Sequence, residues 1–299
     1  MTGLPCAKKR NFHGCAGAMS RLELRLVSEI GSRERMPRHV EVVVKVSPDT
    51  AALAAATAAL FTESAKKAVE ARGVARIAVS GGSTPKIVFR MLADPAQPFL
   101  KDVPWDQLQL YWVDERCVPP DHAESNYRMT NEAMLSKIPL PAANIHRMEG
   151  ELDPEEAASK YESEIRNTFK LEGAETPVFD LVLLGMGPDG HTASLFPHTE
   201  GLHEMARIVI PNHVPQKDAW RVTLTWPVIT AGREVAFLIE GKEKETMVKQ
   251  VFTGPYDPET TPAQLIRPAS GVLTLMMDVA AAAGLPGPPQ VGETRLELA

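Results

Sequence analysis

Residues 185–192 read Gly-Met-Gly-Pro-Asp-Gly-His-Thr and hold one imidazole, that of His191, in a tight glycine-rich turn. An imidazole presented this way suits general-base work near neutral pH. Asp189, two residues ahead, and Asp114, far away in sequence, are the carboxylates available to orient it. The run also satisfies a GxGxxG dinucleotide pattern. That pattern requires an acidic residue about 20 positions further on, where this chain reads Ile210-Pro211-Asn212. His191, His198 and His203 lack zinc-ligand spacing and no cysteine lies nearby, so no metal is expected. The chain has no GxSxG elbow and nothing marks Ser83 as activated, which argues against a serine nucleophile.

Three other segments are suited to anions. Ser80-Gly81-Gly82-Ser83-Thr84-Pro85 pairs two glycines, which let backbone approach a ligand, with the hydroxyls of Ser83 and Thr84. A helix starting there aims free N–H groups and its positive dipole end at the same point. The Walker spacing is absent, so the loop reads as a cradle for a small phosphate or other anion. Trp112-Val113-Asp114-Glu115-Arg116 ends an apolar strand in three charges, with Arg116 as the bidentate phosphate partner and Asp114 as a carboxylate for a sugar hydroxyl or an imidazole. Gly241-Lys242-Glu243-Lys244 adds Lys244, with Lys242 and Arg221 as further candidate cations. A solvated loop or helix face is the plain alternative for each of these cations.

These residues need elements to carry them. Residues 40–46 are a β-branched run and read as a strand; Ser47-Pro48-Asp49-Thr50 starts a helix with apolar spacing to Ala71. Short apolar stretches at 76–80, 108–113, 145–148, 179–184, 207–210, 221–225, 234–239 and 273–277 read as further strands. Helical segments fall after Pro85 and at 125–136, 153–171, 242–252 and 278–283. The alternation implies an α/β fold with a mainly parallel sheet covered on both faces. Ligands in such sheets sit beyond the carboxyl ends of strands. The loops after Val79, Val113, Leu184 and Ile239 are those ends, and each carries one of the unusual segments.

The chain has 299 residues, 44% of them hydrophobic, enough for one large core. A net charge of −6 and a pI near 5.8 argue against a nucleic-acid or acidic-membrane partner. A small phosphorylated metabolite needs only two or three local cations. Cys6, Cys15 and Cys117 form no disulfide framework, no apolar run reaches bilayer-spanning length, and a cytoplasmic location is expected. Residues 1–36 are basic and read as a disordered extension, an organelle-targeting peptide or an upstream start, with Met19 and Met36 as alternative starts. Residues 37–285 read as a single catalytic domain and the Gly/Pro-rich 286–299 as a flexible tail.

The three motifs at 80–85, 112–116 with Ser125-Asn126-Tyr127, and 185–197 resemble the 6-phosphogluconolactonase family in wording, order and spacing, over residues 40–283. The resemblance implies a three-layer αβα sandwich of the glucosamine-6-phosphate deaminase type. It further implies hydrolysis of 6-phospho-D-glucono-1,5-lactone to 6-phospho-D-gluconate in the oxidative pentose phosphate pathway, without metal or organic cofactor. By the same resemblance His191 is the base that activates water, and Arg116 and the Gly81–Thr84 loop lie in the substrate site. Lys244 and Arg221 carry over on shorter motifs. The expected partner is the small phosphorylated lactone alone, bound to a monomer or weak homo-oligomer. Deaminase relatives place an Asn-Glu pair after the histidine, whereas this chain has Thr192-Ala193-Ser194-Leu195-Phe196-Pro197. A non-catalytic sugar-phosphate sensor is the rival from another class, and no helix-turn-helix-like segment supports it. One departure from the family stands out: His198 replaces the glycine common after Phe196-Pro197.

Overall fold

The valine-rich run expected as a strand forms β1 (Val40–Ser47) in a computed structural model, which describes residues 40–287 and 289–298. The extension expected at 1–36 lies outside the described residues, which belong to one compact unit. The strands that follow are β2 (Ala75–Val79), β3 (Leu108–Trp112), β4 (Asp114–Arg116), β5 (Ile145–His146), β6 (Leu181–Leu184), β7 (Val209–Val214), β8 (Ala219–Leu224), β9 (Glu234–Ile239), β10 (Val272–Asp278) and β11 (Gly292–Leu298). An eight-stranded sheet runs in the order β11-β1-β10-β9-β6-β2-β3-β5. Its pairings are parallel except for β11 on β1.

Strand alternation divides the apolar side chains between two cores. Ile77 and Val79 of β2 face one core, with Ala78 facing the other; Leu238 and Phe237 of β9 divide the same way. Helices α1 (Thr50–Arg72), α2 (Ser83–Leu92) and α3 (Asn126–Ala133) cover the first face through Leu53, Phe61, Phe89 and Ala133. Helices α4 (Pro154–Phe169) and α5 (Glu245–Thr253) cover the second through Tyr161, Ile165 and Val248. This is the three-layer αβα sandwich. Side chains such as Phe61 and Phe237 are wholly buried, and each contributes about 1.5–3 kcal/mol. The helix ends follow their sequence signals. Asp49 caps α1 by accepting from the Ala52 N–H at 2.8 Å, and Asp153 caps α4 ahead of Pro154.

Two segments differ from the sequence expectation. The stretches at 207–210 and 221–225, expected to continue the strand series, belong to β7 and β8 of a separate antiparallel sheet ordered β4-β8-β7. Only residues 215–218 join them, a turn closing on Asp218 at φ 44°. So short a connection permits an antiparallel return, whereas a parallel crossover needs a dozen or more residues. The tail expected to be flexible over 286–299 instead carries β11, hydrogen-bonded along β1 from Val40↔Leu298 to Val46↔Gly292. Leu298 is buried at its far end. Its proline-rich lead-in hid the strand that follows.

The two sheets meet at Val113. The Val113 N–H donates to Val79 O in the large sheet at 3.0 Å, and its carbonyl accepts from the Leu224 N–H in the small one at 2.8 Å. Just before it, the Tyr161 hydroxyl accepts from the Trp112 N–H (2.9 Å) and donates to Trp112 O (3.1 Å). The chain leaves β3 already fixed, and Asp114 is set down at the rim where the parallel strands end.

Candidate active site

A cavity of about 570 Å³ opens at that rim. It gathers the turns after β2, β3, β6 and β9, and both Gly81–Thr84 and His191 line it. The turns are joined to each other. The Ser80 hydroxyl donates to Leu183 O at 2.8 Å and accepts from the Gly185 N–H at 3.3 Å, linking the ends of β2 and β6.

The His191 turn closes on itself, with the Gly187 N–H donating to His191 O (2.8 Å) and the Thr192 hydroxyl to Gly185 O (2.8 Å). The imidazole is held on three sides. Its Nδ1 is hydrogen-bonded to Asp189 Oδ1, and its face stacks on Phe196 with centroids 3.9 Å apart and planes 18° off parallel. Gly187 backs it so closely that a Cβ there would lie 2.1 Å from Nδ1. With Asp189 accepting at Nδ1, the proton sits on that nitrogen and the lone pair on Nε2. Among the described residues nothing bonds Nε2. Burial works against the Asp189 charge, yet the side-chain and backbone hydrogen bonds and the electrostatic attraction of His191 outweigh it and hold the carboxyl below its ordinary range.

Asp114 has a different role from that of imidazole partner. It is 6% exposed and lines the cavity. Its Oδ2 accepts from the Ser194 hydroxyl at 2.7 Å, and Asn126 Nδ2 donates to its backbone carbonyl at 2.9 Å. Ser194 is held in turn by Asn212, whose Nδ2 donates to Ser194 O at 2.8 Å. Asp189 is the carboxylate on His191; Asp114 belongs to a buried polar network rooted in the small sheet. Glu115, between Asp114 and Arg116, is structural. It accepts from the backbone N–H groups of Arg116, Asn126 and Tyr127 and from the Ser125 hydroxyl, tying down the start of α3. Burial raises its carboxyl despite those bonds.

The cations fall into two groups. Arg116 lines the cavity and donates to Glu124 O at 2.5 Å. Arg221 faces it directly across the β4–β8 pairing. Arg221 is not part of the lining, and neither is Asp189. Burial, then repulsion from Arg116, pulls the Arg221 guanidinium below its usual value. Lys244 lines the cavity next to the Gly241 turn, whereas Lys242 does not. Arg116, Arg221 and Lys244 have no ion-pair partner among the described residues. Two like charges opposite each other across a sheet disfavour one another unless an anion joins them. At the turn after β2, helix α2 begins with its first bond from the Lys86 N–H to Gly82 O, at 3.2 Å. The Ser83 and Thr84 N–H groups have no acceptor among the described residues, as at any open helix start.

Sequence reasoning missed several residues here. Glu240 lines the cavity and accepts from the Thr50 hydroxyl at the start of α1. Ser80, Asn126 and Ser194 hold the turns together. Each stands within one of the motifs but acts through a contact more than ten residues away in the chain, so the local sequence gives it no role. His198 adopts φ 59°, the left-handed region, and its N–H donates to Glu259 O at 3.0 Å. The glycine expected there matches that backbone. No group of three His, Cys, Asp or Glu is placed to hold a metal ion, and no helix is long and apolar enough to cross a membrane, among the described residues.

The architecture and the rim cavity define an α/β protein that gathers a glycine turn, two cations and an oriented histidine around one cavity. Its sequence matches the model of the glucosamine-6-phosphate isomerase/6-phosphogluconolactonase family over residues 48–275, and the chain belongs to that family. It is 42% identical over 212 residues to a 6-phosphogluconolactonase of Synechocystis, covering 70% of this chain and 85% of that one. The solved structure of a 6-phosphogluconolactonase from Trypanosoma cruzi superposes with a TM-score of 0.71 at 30% identity, over 82% of this chain and 97% of the other. A monomeric glucosamine-6-phosphate deaminase shares the fold, with a TM-score of 0.67 at 19% identity over 81% of this chain and 99% of its own.

Proposed function

We propose that this chain opens 6-phospho-D-glucono-1,5-lactone to 6-phospho-D-gluconate in the oxidative pentose phosphate pathway, with His191 as the general base. The observation that carries the reading is the meeting of an oriented imidazole and an anion cradle in one cavity. Family membership points to a sugar phosphate, and the names of the relatives favour a phosphorylated sugar lactone among them.

In this mechanism the Gly81–Thr84 turn, Arg116 and Lys244 hold the 6-phosphate, which sets the lactone carbon near Nε2 of His191. The imidazole takes a proton from water as the water oxygen bonds to C1. Negative charge collects on the former carbonyl oxygen, where the imidazolium and backbone N–H groups of the turns offset it, with Arg221 adding a longer-range positive field from behind Arg116. The C1–ring oxygen bond then breaks, the imidazolium returns its proton to the ring oxygen, and the new acid ionises. Asp189 keeps the ring in the productive tautomer and offsets its charge. The chain's own groups cover every charge change, so no metal or organic cofactor enters. We place the enzyme in the cytoplasm, as a monomer or weak homo-oligomer with no nucleic-acid or membrane partner, in keeping with its acidic charge.

The test is hydrolysis of freshly generated 6-phosphogluconolactone beside its unphosphorylated counterpart, each corrected for spontaneous opening. A kcat/KM at least about 100-fold higher for the phosphorylated compound is expected, given the strength of charge-assisted phosphate contacts. Equal rates would remove the cradle from the mechanism, and no acceleration of either would end the proposal.

A further inference from the structure

Asn126 carries an acceptor that the mechanism above does not use. It is 2% exposed, begins α3 and lines the cavity. Its Nδ2 donates to the Asp114 carbonyl at 2.9 Å and faces Asp114 Oδ1 at 3.5 Å. Both of those oxygens only accept, so the NH₂ must lie on that side and the amide oxygen on the other. Oδ1 is thereby turned against the glycine loop, so tightly that a Cβ on Gly81 would stand 1.7 Å from it. Among the described residues no donor reaches Asn126 Oδ1, and no cation forms an ion pair with Asp114.

The cavity wall after β3 therefore offers two acceptor groups side by side, an amide oxygen and a carboxylate. Such a wall repels phosphate and carboxylate, and its match is hydroxyl. We infer that Asn126 is a specificity-determining residue: its amide oxygen, beside the Asp114 carboxylate, accepts hydrogen bonds from the ring hydroxyls of the substrate. The inference rests on the functional reading above and adds which part of the sugar this wall reads. It also reassigns Gly81, which is glycine to admit the Asn126 amide as well as to let a phosphate approach.

The experiment compares kcat/KM for the phosphorylated lactone and for its 2-, 3- and 4-deoxy analogues. It uses the full chain, Asn126→Ala and Gly81→Ala, with thermal melting to verify folding. The wild-type protein is expected to process at least one analogue roughly 10- to 100-fold less well than the parent, the usual result when a site's acceptor loses its donor. Asn126→Ala is expected to lose a similar factor on the parent and to treat that analogue and the parent alike. Gly81→Ala, whose methyl displaces the amide while leaving it present, should show the same loss of discrimination and serves if Asn126→Ala does not fold. Wild-type indifference to all three deoxy compounds would overturn the inference while leaving the lactonase reading intact. So would full discrimination retained by the variants. A wild-type chain inert toward the parent lactone would instead defeat the functional reading, and the subsite with it.

Discussion

Asp189 and Asp114 both lie at the sheet rim, and the difference between them shows how one site uses two carboxylates. Asp189 sits two residues from His191 and its side chain is 41% exposed. Its one strong partner is the ring it orients. Asp114 is buried, anchored through Ser194 and Asn212 to the small sheet, and bonded to no imidazole. The first is a local device that sets a proton's position. The second is a fixed wall, and its cost of burial is offset by a hydroxyl from the stretch after His191 and an amide from the start of α3.

Removing His191 tests the local half of this contrast and should have the largest effect. His191→Ala is expected to lower kcat by about 10²–10⁴-fold with KM for the phosphorylated lactone nearly unchanged. A variant with wild-type kcat would remove the base from the mechanism. The same substitution should move Asp189. Its carboxyl is depressed by His191 against the pull of burial, so losing the ring raises it, as a carboxylate NMR titration would record. The pH dependence follows with a definite sign. A carboxyl held below its unfolded value contributes stability in full above the unfolded pKa, and this contribution is lost as pH falls through the folded value. In His191→Ala the folded value moves up toward or past the unfolded one, so this acid-side loss of stability should shrink or vanish.

Gly187→Ala leaves every ionisable group in place and should still cost activity. Its Cβ would overlap both the ring and Asp189 Oδ1, at 2.1 and 2.6 Å, and tip the imidazole. A fall in kcat of about 100-fold is expected from a displacement of this size. Retention of activity would show that the ring's placement has slack.

The buried carboxylate is tested by Ser194→Ala. Removing the hydroxyl leaves Asp114 without its short hydrogen bond, and a loss of about 1–3 kcal/mol is expected by urea unfolding. No change in stability would mean that cavity water satisfies Asp114 unaided, and the wall would no longer count as fixed.

The smallest effect belongs to His198→Gly. The backbone is left-handed there, and only the main chain holds it to Glu259. Relief of strain and the added freedom of the unfolded chain nearly cancel, so any gain should stay within about 1 kcal/mol. A marked loss of stability would mean that the imidazole itself makes a contact worth keeping.

The sequence alone disclosed what is local. The glycine turns, the spacing of Asp189 to His191 and the strand–helix alternation that puts them on one rim are all short-range patterns. It could not choose between Asp189 and Asp114 as the ring's partner, because that depends on where Ser194 delivers its hydroxyl from 80 residues away. Arg221 was visible as a cation, but its position opposite Arg116 is a property of strand register. Asn126 stood within a recognised motif without a role, since only its contact with Gly81 reveals which way the amide faces. The antiparallel sheet and β11 were misjudged for a related reason: an apolar or mixed stretch announces a strand, or fails to, without saying what it pairs with.

That last strand also protects the molecule from its own kind. Without it, β1 would end the large sheet as an open row of amides and carbonyls along Val42, Val43, Val44 and Val46, a ready template for another chain's backbone. With β11 in place the outermost strand is Glu-Thr-Arg-Leu-Glu-Leu, exposed from Glu293 to Arg295. An incoming copy meets alternating charge, and the valines stay sealed one strand further in.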